Sequence, residues 1–306
     1  MRLVFAGTPA VAVPTLRLLA ERHEIVAVVT RPDAPLGRKR VLTPSPVALA
    51  AEELGLPIIK AARLDAEATG LIAAAVPQLG VIVAYGGLVR EPLLSTPDLG
   101  WINLHFSLLP AWRGAAPVQR ALIAGDAELG ASVFQLVEAL DAGDVYASRV
   151  FDVPADATAD VALEVLAAAG APLTAEVVDA IEAGTARAQP QTGTVTHAAK
   201  LTLEDGLLDF SRPLDEVHAR FRGVTGEPGA HTSIDGARLK ILDAHPADDS
   251  EQLAPGAMVG TKHEVLIGTG TTPLAVTRVQ PAGKAAMAAA DWWRGRREGE
   301  STVAGS

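Results

Sequence analysis

The sequence predicts an α/β protein of 306 residues, with a Rossmann-like, mostly parallel sheet domain followed by a small β-barrel domain. Over residues 1–183, short apolar runs alternate with helical segments, which is the pattern of parallel β-α-β units. A polar stretch without periodicity follows at residues 184–203 and predicts a linker. Short strand-like segments separated by turn residues fill residues 204–306 and predict the barrel, for which an OB-like form is one option.

Composition limits the possible functions. Hydrophobic residues make up 49% of the chain, which is enough for two cores. Cysteine is absent from the sequence, which excludes disulfides and thiolate metal sites. The net charge of −10 argues against a protein that coats nucleic acid non-specifically. Apolar runs stay shorter than the roughly 18 residues of a membrane span, and the first strand leaves no room for a signal peptide, so we expect a cytoplasmic protein.

The first domain is predicted to contain a central sheet with helices around it. Strands are predicted at residues 3–6, 25–29, 57–59, 81–85, 102–105, 132–137 and 145–153, and helices at 11–21, 47–54, 71–76, 115–124 and 158–182. The turn after the first strand has one glycine, Gly7, where a dinucleotide-binding fingerprint has three, so a Rossmann dehydrogenase is disfavoured. The strand at 81–85 ends in Gly86-Gly87, where backbone can approach a ligand closely.

Residues 30–46 show neither helical nor strand periodicity. They contain four prolines and the basic run Arg38-Lys39-Arg40. Loops of this length are uncommon in compact domains and tend to be functional or disordered. Two interpretations remain open, a solvated surface loop or a basic probe that contacts a polyanion.

Three polar side chains suggest a reaction centre. Asn103 and His105 alternate with apolar residues and so project from one face of a strand, and Asp141 lies in an acidic turn at 138–144. An amide, an imidazole and a carboxylate can together stabilise an oxyanion and manage a proton. The sequence has no Gly-x-Ser-x-Gly elbow and no His-Glu-x-x-His pair, so we expect the nucleophile to belong to the substrate. Taken singly, each residue also fits a structural role in a turn or strand end.

Several motifs carry a resemblance that spans nearly the whole chain. They are Phe5-Ala6-Gly7-Thr8-Pro9, Asn103-x-His105-x-Ser107-Leu108-Leu109-Pro110, Trp112-Arg113-Gly114-Ala115-Ala116-Pro117, Leu140-Asp141-Ala142-Gly143-Asp144 and Gln280-Pro281-Ala282-Gly283-Lys284. In these motifs the sequence resembles the folate-dependent formyltransferase family. The longer match resembles the branch that transfers the formyl group of 10-formyltetrahydrofolate to the α-amino group of methionine on initiator tRNA, without a metal.

The resemblance implies roles for individual residues. Asn103 and His105 would bind and polarise the formyl oxygen during direct amine attack through a tetrahedral intermediate, while Asp141 would hold His105 and help to relay the proton. The folate-binding residues would be Ser107, Leu108, Leu109, Pro110, Tyr85, Gly86 and Leu88. The tRNA-binding residues would be Arg38, Lys39, Arg40 and Lys200, with the C-terminal domain along the acceptor arm. The expected partners are folate and initiator methionyl-tRNA, with no membrane or DNA, and the chain would be a monomer.

Rival functions remain at this stage. A formyltransferase acting on a small amine, such as glycinamide ribonucleotide or an amino sugar nucleotide, would share Asn103, His105 and Asp141. It would not need the basic loop at 30–46 or a second domain. A catalytically silent RNA-binding module would keep all its activities when His105 is replaced.

Overall fold

The structure, a computed structural model, describes residues 1–37, 40–247, 251–296 and 301–305. Its strands are β1 (Arg2–Gly7), β2 (Glu24–Thr30), β3 (Ala34–Leu36), β4 (Val41–Thr43), β5 (Ile58–Lys60), β6 (Leu79–Val83), β7 (Trp101–His105), β8 (Arg113–Gly114), β9 (Leu129–Gln135), β10 (Val145–Phe151), β11 (His197–Ala198), β12 (His231–Ile234), β13 (Ala237–Pro246), β14 (Met258–Gly260), β15 (Val265–Ile267), β16 (Leu274–Pro281) and β17 (Met287–Ala288). Its α-helices are α1 (Val13–Arg22), α2 (Pro46–Glu53), α3 (Ala66–Ala74), α4 (Pro117–Ala124), α5 (Ala159–Glu182), α6 (Leu214–Val224) and α7 (Ala289–Arg294).

The chain forms two compact units. The first comprises residues 1–117, 128–153 and 163–198, and the second comprises residues 118–127, 154–162 and 199–306. Both have apolar interiors. Trp101 and Tyr85 lie among the buried side chains of the first, and Phe210 and Phe221 among those of the second.

A seven-stranded sheet forms the centre of the first unit. The strand order is β10-β9-β7-β6-β1-β2-β5, in which the five strands from β7 to β5 are parallel and the β9 and β10 pairings are antiparallel. This confirms the predicted Rossmann-like, mostly parallel sheet domain. The chain moves outward from β1 through β2 to β5 and returns to the other side of β1 at β6. Ligands of open α/β sheets bind beyond the carboxyl ends of the strands near such a reversal.

Close packing explains why β1 ends in a glycine. A Cβ on Gly7 would lie 2.8 Å from the Cβ of Ala12 and 2.9 Å from the carbonyl oxygen of Val83. Gly7 therefore allows the start of the helical segment and the end of β6 to approach β1.

Two segments differ from the sequence expectation. Residues 30–46 include a short antiparallel hairpin of β3 and β4, although periodicity predicts no strand there. Residues 189–198, predicted as linker, pair with the first unit: Gln189 bridges Val145, and β11 lies parallel to β8. Such short pairings carry no apolar alternation, and so they leave no signal in the sequence.

One helix has a length and composition that membrane-spanning helices also have. Among the described helices, α5 alone has the length and apolar composition to cross a bilayer. However, 56% of its apolar window is buried inside the protein, and core helices share this composition.

The second unit contains a six-stranded antiparallel sheet. The path β12-β13-β16-β15-β14 carries β17 as an additional partner of β16. Helices α6 and α7 pack against it, and Trp292 and Trp293 contact its core. The short strands predicted for this part of the chain are present, whereas the described strand pairings do not join β12 to β14 into a closed barrel. The observed architecture is therefore an antiparallel sheet with two helices.

Candidate active site

A pocket of about 440 Å³ opens at the carboxyl ends of β6 and β7 in the first unit. It is lined by residues 82, 84–89, 103–106, 114, 115, 117 and 136–141. Its volume falls within the usual range for small-molecule sites. Asn103, His105 and Asp141 all line it, so the structure brings the three predicted catalytic residues together.

Strand β7 places Asn103 and His105 on the same side of the sheet. The strand pairs with β6 on one edge and with β9 on the other, where Asn103 lies opposite Phe134 and His105 opposite Ser132. Residues two apart on a strand face the same way. The Asn103 side chain is half-buried, and the described structure gives its amide no hydrogen-bond partner. This amide is free to donate to a ligand.

Burial and one carbonyl define the state of His105. The residue is 6% exposed, and its Nε2 donates to the carbonyl oxygen of Trp112 at 2.9 Å. Because a carbonyl can only accept, the neutral ring carries its proton on Nε2 and has a lone pair on Nδ1. Burial lowers the pKa of His105, and the nearby Asp141 carboxylate and the Trp112 hydrogen bond partly oppose this effect. At neutral pH the ring is therefore a proton acceptor.

Asp141 faces the free nitrogen of that ring. Its Oδ2 lies 3.8 Å from His105 Nδ1, beyond hydrogen-bond distance but close enough to stabilise a proton placed there. The same Oδ2 accepts a hydrogen bond from the backbone N–H of Gly114 at 2.7 Å. Hence the ring is held by Trp112, and the carboxylate is oriented by Gly114.

Three of the six described non-glycine residues with positive φ lie in the pocket or directly support it. Ala84, Trp112 and Asp141 have φ values of 48°, 61° and 46°, in a region that residues other than glycine rarely adopt. Ala84 and Asp141 line the pocket, and Trp112 supplies the carbonyl that holds His105. Strained backbone of this kind clusters at functional sites, where the surrounding structure enforces it.

The predicted folate residues divide into two groups. Tyr85, Gly86 and Leu88 line the pocket, and the Tyr85 hydroxyl donates to the carbonyl of Ala61 at 3.1 Å. Burial raises the pKa of Tyr85, which keeps the phenol protonated, although the nearby Arg31 charge has a smaller opposite effect. The second group does not line the pocket; it consists of Ser107, Leu108, Leu109 and Pro110.

Polar groups of the loop at 107–110 form hydrogen bonds with neighbouring residues of the protein. The Ser107 hydroxyl donates to the carbonyl of Ala111 at 2.6 Å, and Ser132 accepts from the backbone N–H of Leu109. Ser107 is itself buried. The loop therefore supports the end of β7 in this structure, and its contact with folate stays a prediction.

The predicted tRNA-binding residues lie outside the pocket. Arg38 and Lys39 are outside the described residues. Arg40 is exposed just before β4, and Lys200 is exposed in the second unit. Their role in binding tRNA stays a prediction.

Sequence reasoning missed several residues that support this site. Trp112 and Gly114 act through backbone groups, which a side-chain motif does not reveal. Arg31 donates to the carbonyl of Gly86 at 2.7 Å and lies over the Tyr85 ring, with its charge centre 5.4 Å from the ring centroid. It thereby ties the pocket loop to the end of β2. Its sequence context, a loop without periodicity, gave no indication of this contact.

One group of side chains in the described residues has the spacing of metal ligands. His23, Asp179 and Glu182 present ligand atoms within 4.8 Å of one another. None of them lines the pocket, and Asp179 already pairs with Arg22 at 3.0 Å. The pocket chemistry described above does not use this group.

Comparison with known families gives a consistent result over both units. A family model described as Formyl transferase matches residues 1–178, and one described as Formyl transferase, C-terminal domain, matches residues 200–297. A methionyl-tRNA formyltransferase of Leifsonia xyli is 60% identical over 295 residues, covering 96% of this chain and 97% of the relative. One from an Arthrobacter species is 53% identical and covers 99% of both chains.

Solved structures share the fold at low sequence identity. An N-formyltransferase from Helicobacter canadensis, in complex with folinic acid and dTDP-3-aminofucose, has a TM-score of 0.69 at 16% identity, covering 91% of this chain and 98% of its own. A methionyl-tRNA formyltransferase from Clostridium thermocellum has a TM-score of 0.59 at 15% identity, covering 82% and 95%. At these identities the likeness concerns the fold.

Proposed function

The chain belongs to the formyl transferase family, and from that premise we propose that it transfers the formyl group of 10-formyltetrahydrofolate to the α-amino group of methionine on initiator tRNA. The observation that carries this proposal is the pocket in which Asn103, His105 and Asp141 meet. Relatives that cover nearly the whole chain at 53–60% identity are methionyl-tRNA formyltransferases, which supports the same acceptor.

Asn103 is suited to bind the formyl oxygen. Its amide lines the pocket without a protein partner in the described structure, and an amide N–H does not ionise. When the substrate amine attacks the formyl carbon, negative charge develops on that oxygen. A donor aimed at this charge lowers the barrier, and one such donor is worth roughly 10²–10³ in rate.

His105 and Asp141 are suited to move the proton. The new bond between the amine nitrogen and the formyl carbon leaves a proton that must depart, and the Nδ1 lone pair of His105 can accept it. The resulting imidazolium lies beside the Asp141 carboxylate, 3.8 Å away, which stabilises its charge. As the bond between the formyl carbon and N10 of folate breaks, the same proton passes to N10. Formyl transfer therefore consumes no net proton.

The pocket fits a substrate with a flat, partly apolar ring. Tyr85, Leu88 and Val137 contribute to its wall, and Gly86 and Gly87 leave backbone open to a ligand. Leu88 is 66% exposed, so that a bound pterin would cover apolar surface there. The family resemblance assigns the loop at 107–110 to folate binding, and this loop would contact the part of the folate beyond the pterin ring.

The tRNA would be bound by parts of the chain outside the pocket. We place it on the loop at 30–46, through Arg38, Lys39 and Arg40, and on the C-terminal residues 204–306, with Lys200 at their start. In this proposal residues 204–306 form an OB-like domain, residues 1–183 form the catalytic domain, and residues 184–203 connect them along the chain. Phosphate contacts by these few cations would provide affinity despite the chain's negative charge. The enzyme would act as a cytoplasmic monomer.

A formylation assay with competing acceptors tests this function. Purified protein and 10-formyltetrahydrofolate are mixed with charged initiator tRNA, charged elongator methionine tRNA, glycinamide ribonucleotide or an amino sugar nucleotide. The proposal predicts formyl-methionyl-tRNA from the initiator and little product from the other acceptors. Transfer to a small amine in preference to tRNA would support the rival formyltransferase, and no transfer to any acceptor would support a silent RNA-binding module.

A further inference from the structure

The side-chain amide of Gln191 connects two backbone segments of the candidate active site. Its Nε2 donates to the carbonyl oxygens of Asp141 and Gly143, each at 2.8 Å. Its Oε1 accepts from Nε and Nη2 of Arg113 at 3.1 and 2.7 Å. Gln191 therefore bridges the turn that carries Asp141 and the strand that carries Gly114.

These partners leave one orientation for the amide. The two carbonyls can only accept and the guanidinium can only donate, so the NH₂ group must face Asp141 and Gly143 and the oxygen must face Arg113. Both N–H groups are used, and the oxygen accepts twice. A half-buried side chain with this many partners cannot rotate without losing several hydrogen bonds.

The Asp141 turn needs such support because its backbone is under strain. Asp141 has a φ of 46°, and a Cβ on Gly143 would lie 1.7 Å from the carbonyl oxygen of Gln135. The position of the carboxylate therefore depends on contacts that hold the turn closed. Within the described structure these include the Gly114 N–H on Oδ2 and the Gln191 amide on the carbonyl of the same residue.

Neighbouring residues show that the segment at 189–198 supports the rest of the site as well. Thr196 Oγ1 accepts from the backbone N–H of Trp112 at 2.8 Å, and its carbonyl accepts from the N–H of Arg113 at 2.9 Å. Strand β11 follows immediately and pairs with β8. A Cβ on Gly114 would lie 2.5 Å from the carbonyl oxygen of Ala198, so the pairing is close. The segment thus holds the residue whose carbonyl binds His105.

We propose that Gln191 is a positioning residue for formyl transfer, which acts by holding the Asp141 carboxylate at its place beside His105. This inference rests on the proposed function, in which Asp141 stabilises the protonated imidazole. Gln191 does not line the pocket, and it hydrogen-bonds to Asp141 at the backbone carbonyl and not at the carboxylate. It acts through the backbone of the Asp141 turn.

The test is a double-mutant cycle between Gln191 and Asp141, read as single-turnover formyl transfer with both substrates saturating. Gln191→Ala is expected to lower the transfer rate by about 10- to 100-fold, because small misplacements of a catalytic group are costly. The KM values for folate and tRNA are expected to stay within about twofold, since Gln191 does not line the pocket. In an Asp141→Asn background, Gln191→Ala is expected to cost less than about threefold, because its effect passes through that carboxylate.

Two further variants separate positioning from a general loss of stability. Gln189→Ala alters an exposed residue of the same segment that bridges Val145 through its backbone, and it is expected to behave as wild type. Gln191→Glu keeps the length of the side chain and the acceptor for Arg113 but removes both N–H donors and faces two carbonyls with a carboxylate. It is expected to lose rate as Gln191→Ala does, and it keeps the test valid if the alanine variant does not fold.

Different outcomes would show that the positioning role of Gln191 fails or that the proposed function fails. The positioning role is wrong if Gln191→Glu transfers formyl at the rate of Gln189→Ala. It is also wrong if the rate losses of Gln191→Ala and Asp141→Asn multiply fully in the double mutant. If Asp141→Asn itself transfers formyl at the wild-type rate, the proposed catalytic mechanism fails instead. If wild type transfers no formyl group to methionyl-tRNA, the proposed function fails.

Discussion

Replacing Asp141 by Asn removes one charge and keeps the shape of the side chain. The carboxylate oxygen lies 3.8 Å from His105 Nδ1, and the two side chains are 11% and 6% exposed. At an effective dielectric constant of about 20, a unit charge pair at this distance is worth about 4 kcal/mol. Losing it when the imidazole is protonated would slow formyl transfer by about 10³-fold, because roughly 1.4 kcal/mol corresponds to a factor of ten.

The assay for this variant is single-turnover transfer from 10-formyltetrahydrofolate to pre-bound methionyl-tRNA. Asp144→Asn is the matched control, because it removes the same charge from an exposed residue in the same turn. We expect Asp141→Asn to lose rate while its affinity for tRNA stays within about threefold of the control. A variant that transfers formyl at the control's rate, or that loses tRNA affinity as much as rate, would refute the assignment of Asp141.

Further predictions concern pH, the basic loop and the turn. Burial lowers the pKa of His105 below its ordinary value of 6.5. The transfer rate should therefore stay level from neutral pH to below pH 6.5 and fall only when His105 is protonated. A pH–rate profile that already falls above pH 6.5 would contradict this. Arg38→Ala should weaken use of tRNA and leave folate binding intact, which tRNA titration and folate fluorescence can measure; an effect on folate alone would contradict the loop assignment. Gly143→Ala would place a Cβ 1.7 Å from the carbonyl oxygen of Gln135, so it should lower the free energy of unfolding by about 1–3 kcal/mol and also lower the transfer rate. Denaturant unfolding that shows an unchanged free energy of unfolding would contradict the close packing of this turn.

Periodicity in the sequence was sufficient to predict the main sheet. The strands of this sheet lie close to their predicted places, and the buried parallel strands β1 and β2 have apolar runs of four or more residues that make them easy to recognise. The hairpin of β3 and β4 was not predicted, because its strands have three exposed or half-buried residues each and so no apolar face. Closure of the second sheet into a barrel depends on pairings between distant strands, which local patterns do not determine.

The sequence predicted the parts of the site that side chains form, and it did not predict the parts that backbone groups form. Asn103 and His105 share a strand face by simple alternation, and Asp141 comes to the same pocket as the family motif implies. By contrast, Trp112 holds His105 through its carbonyl, a role that any residue type could fill. Gln191 lies in a polar stretch whose composition is that of a linker, and its four hydrogen bonds exist only because the fold brings three distant segments together.

The most direct test of the central claim is the single-turnover rate of His105→Ala loaded with 10-formyltetrahydrofolate and methionyl initiator tRNA. We expect both substrates to bind normally and the transfer rate to fall by about 10²–10⁴-fold, as loss of a general base would produce. A His105→Ala protein that forms formyl-methionyl-tRNA at the wild-type rate would contradict the account, because the proton of the attacking amine would then have another acceptor.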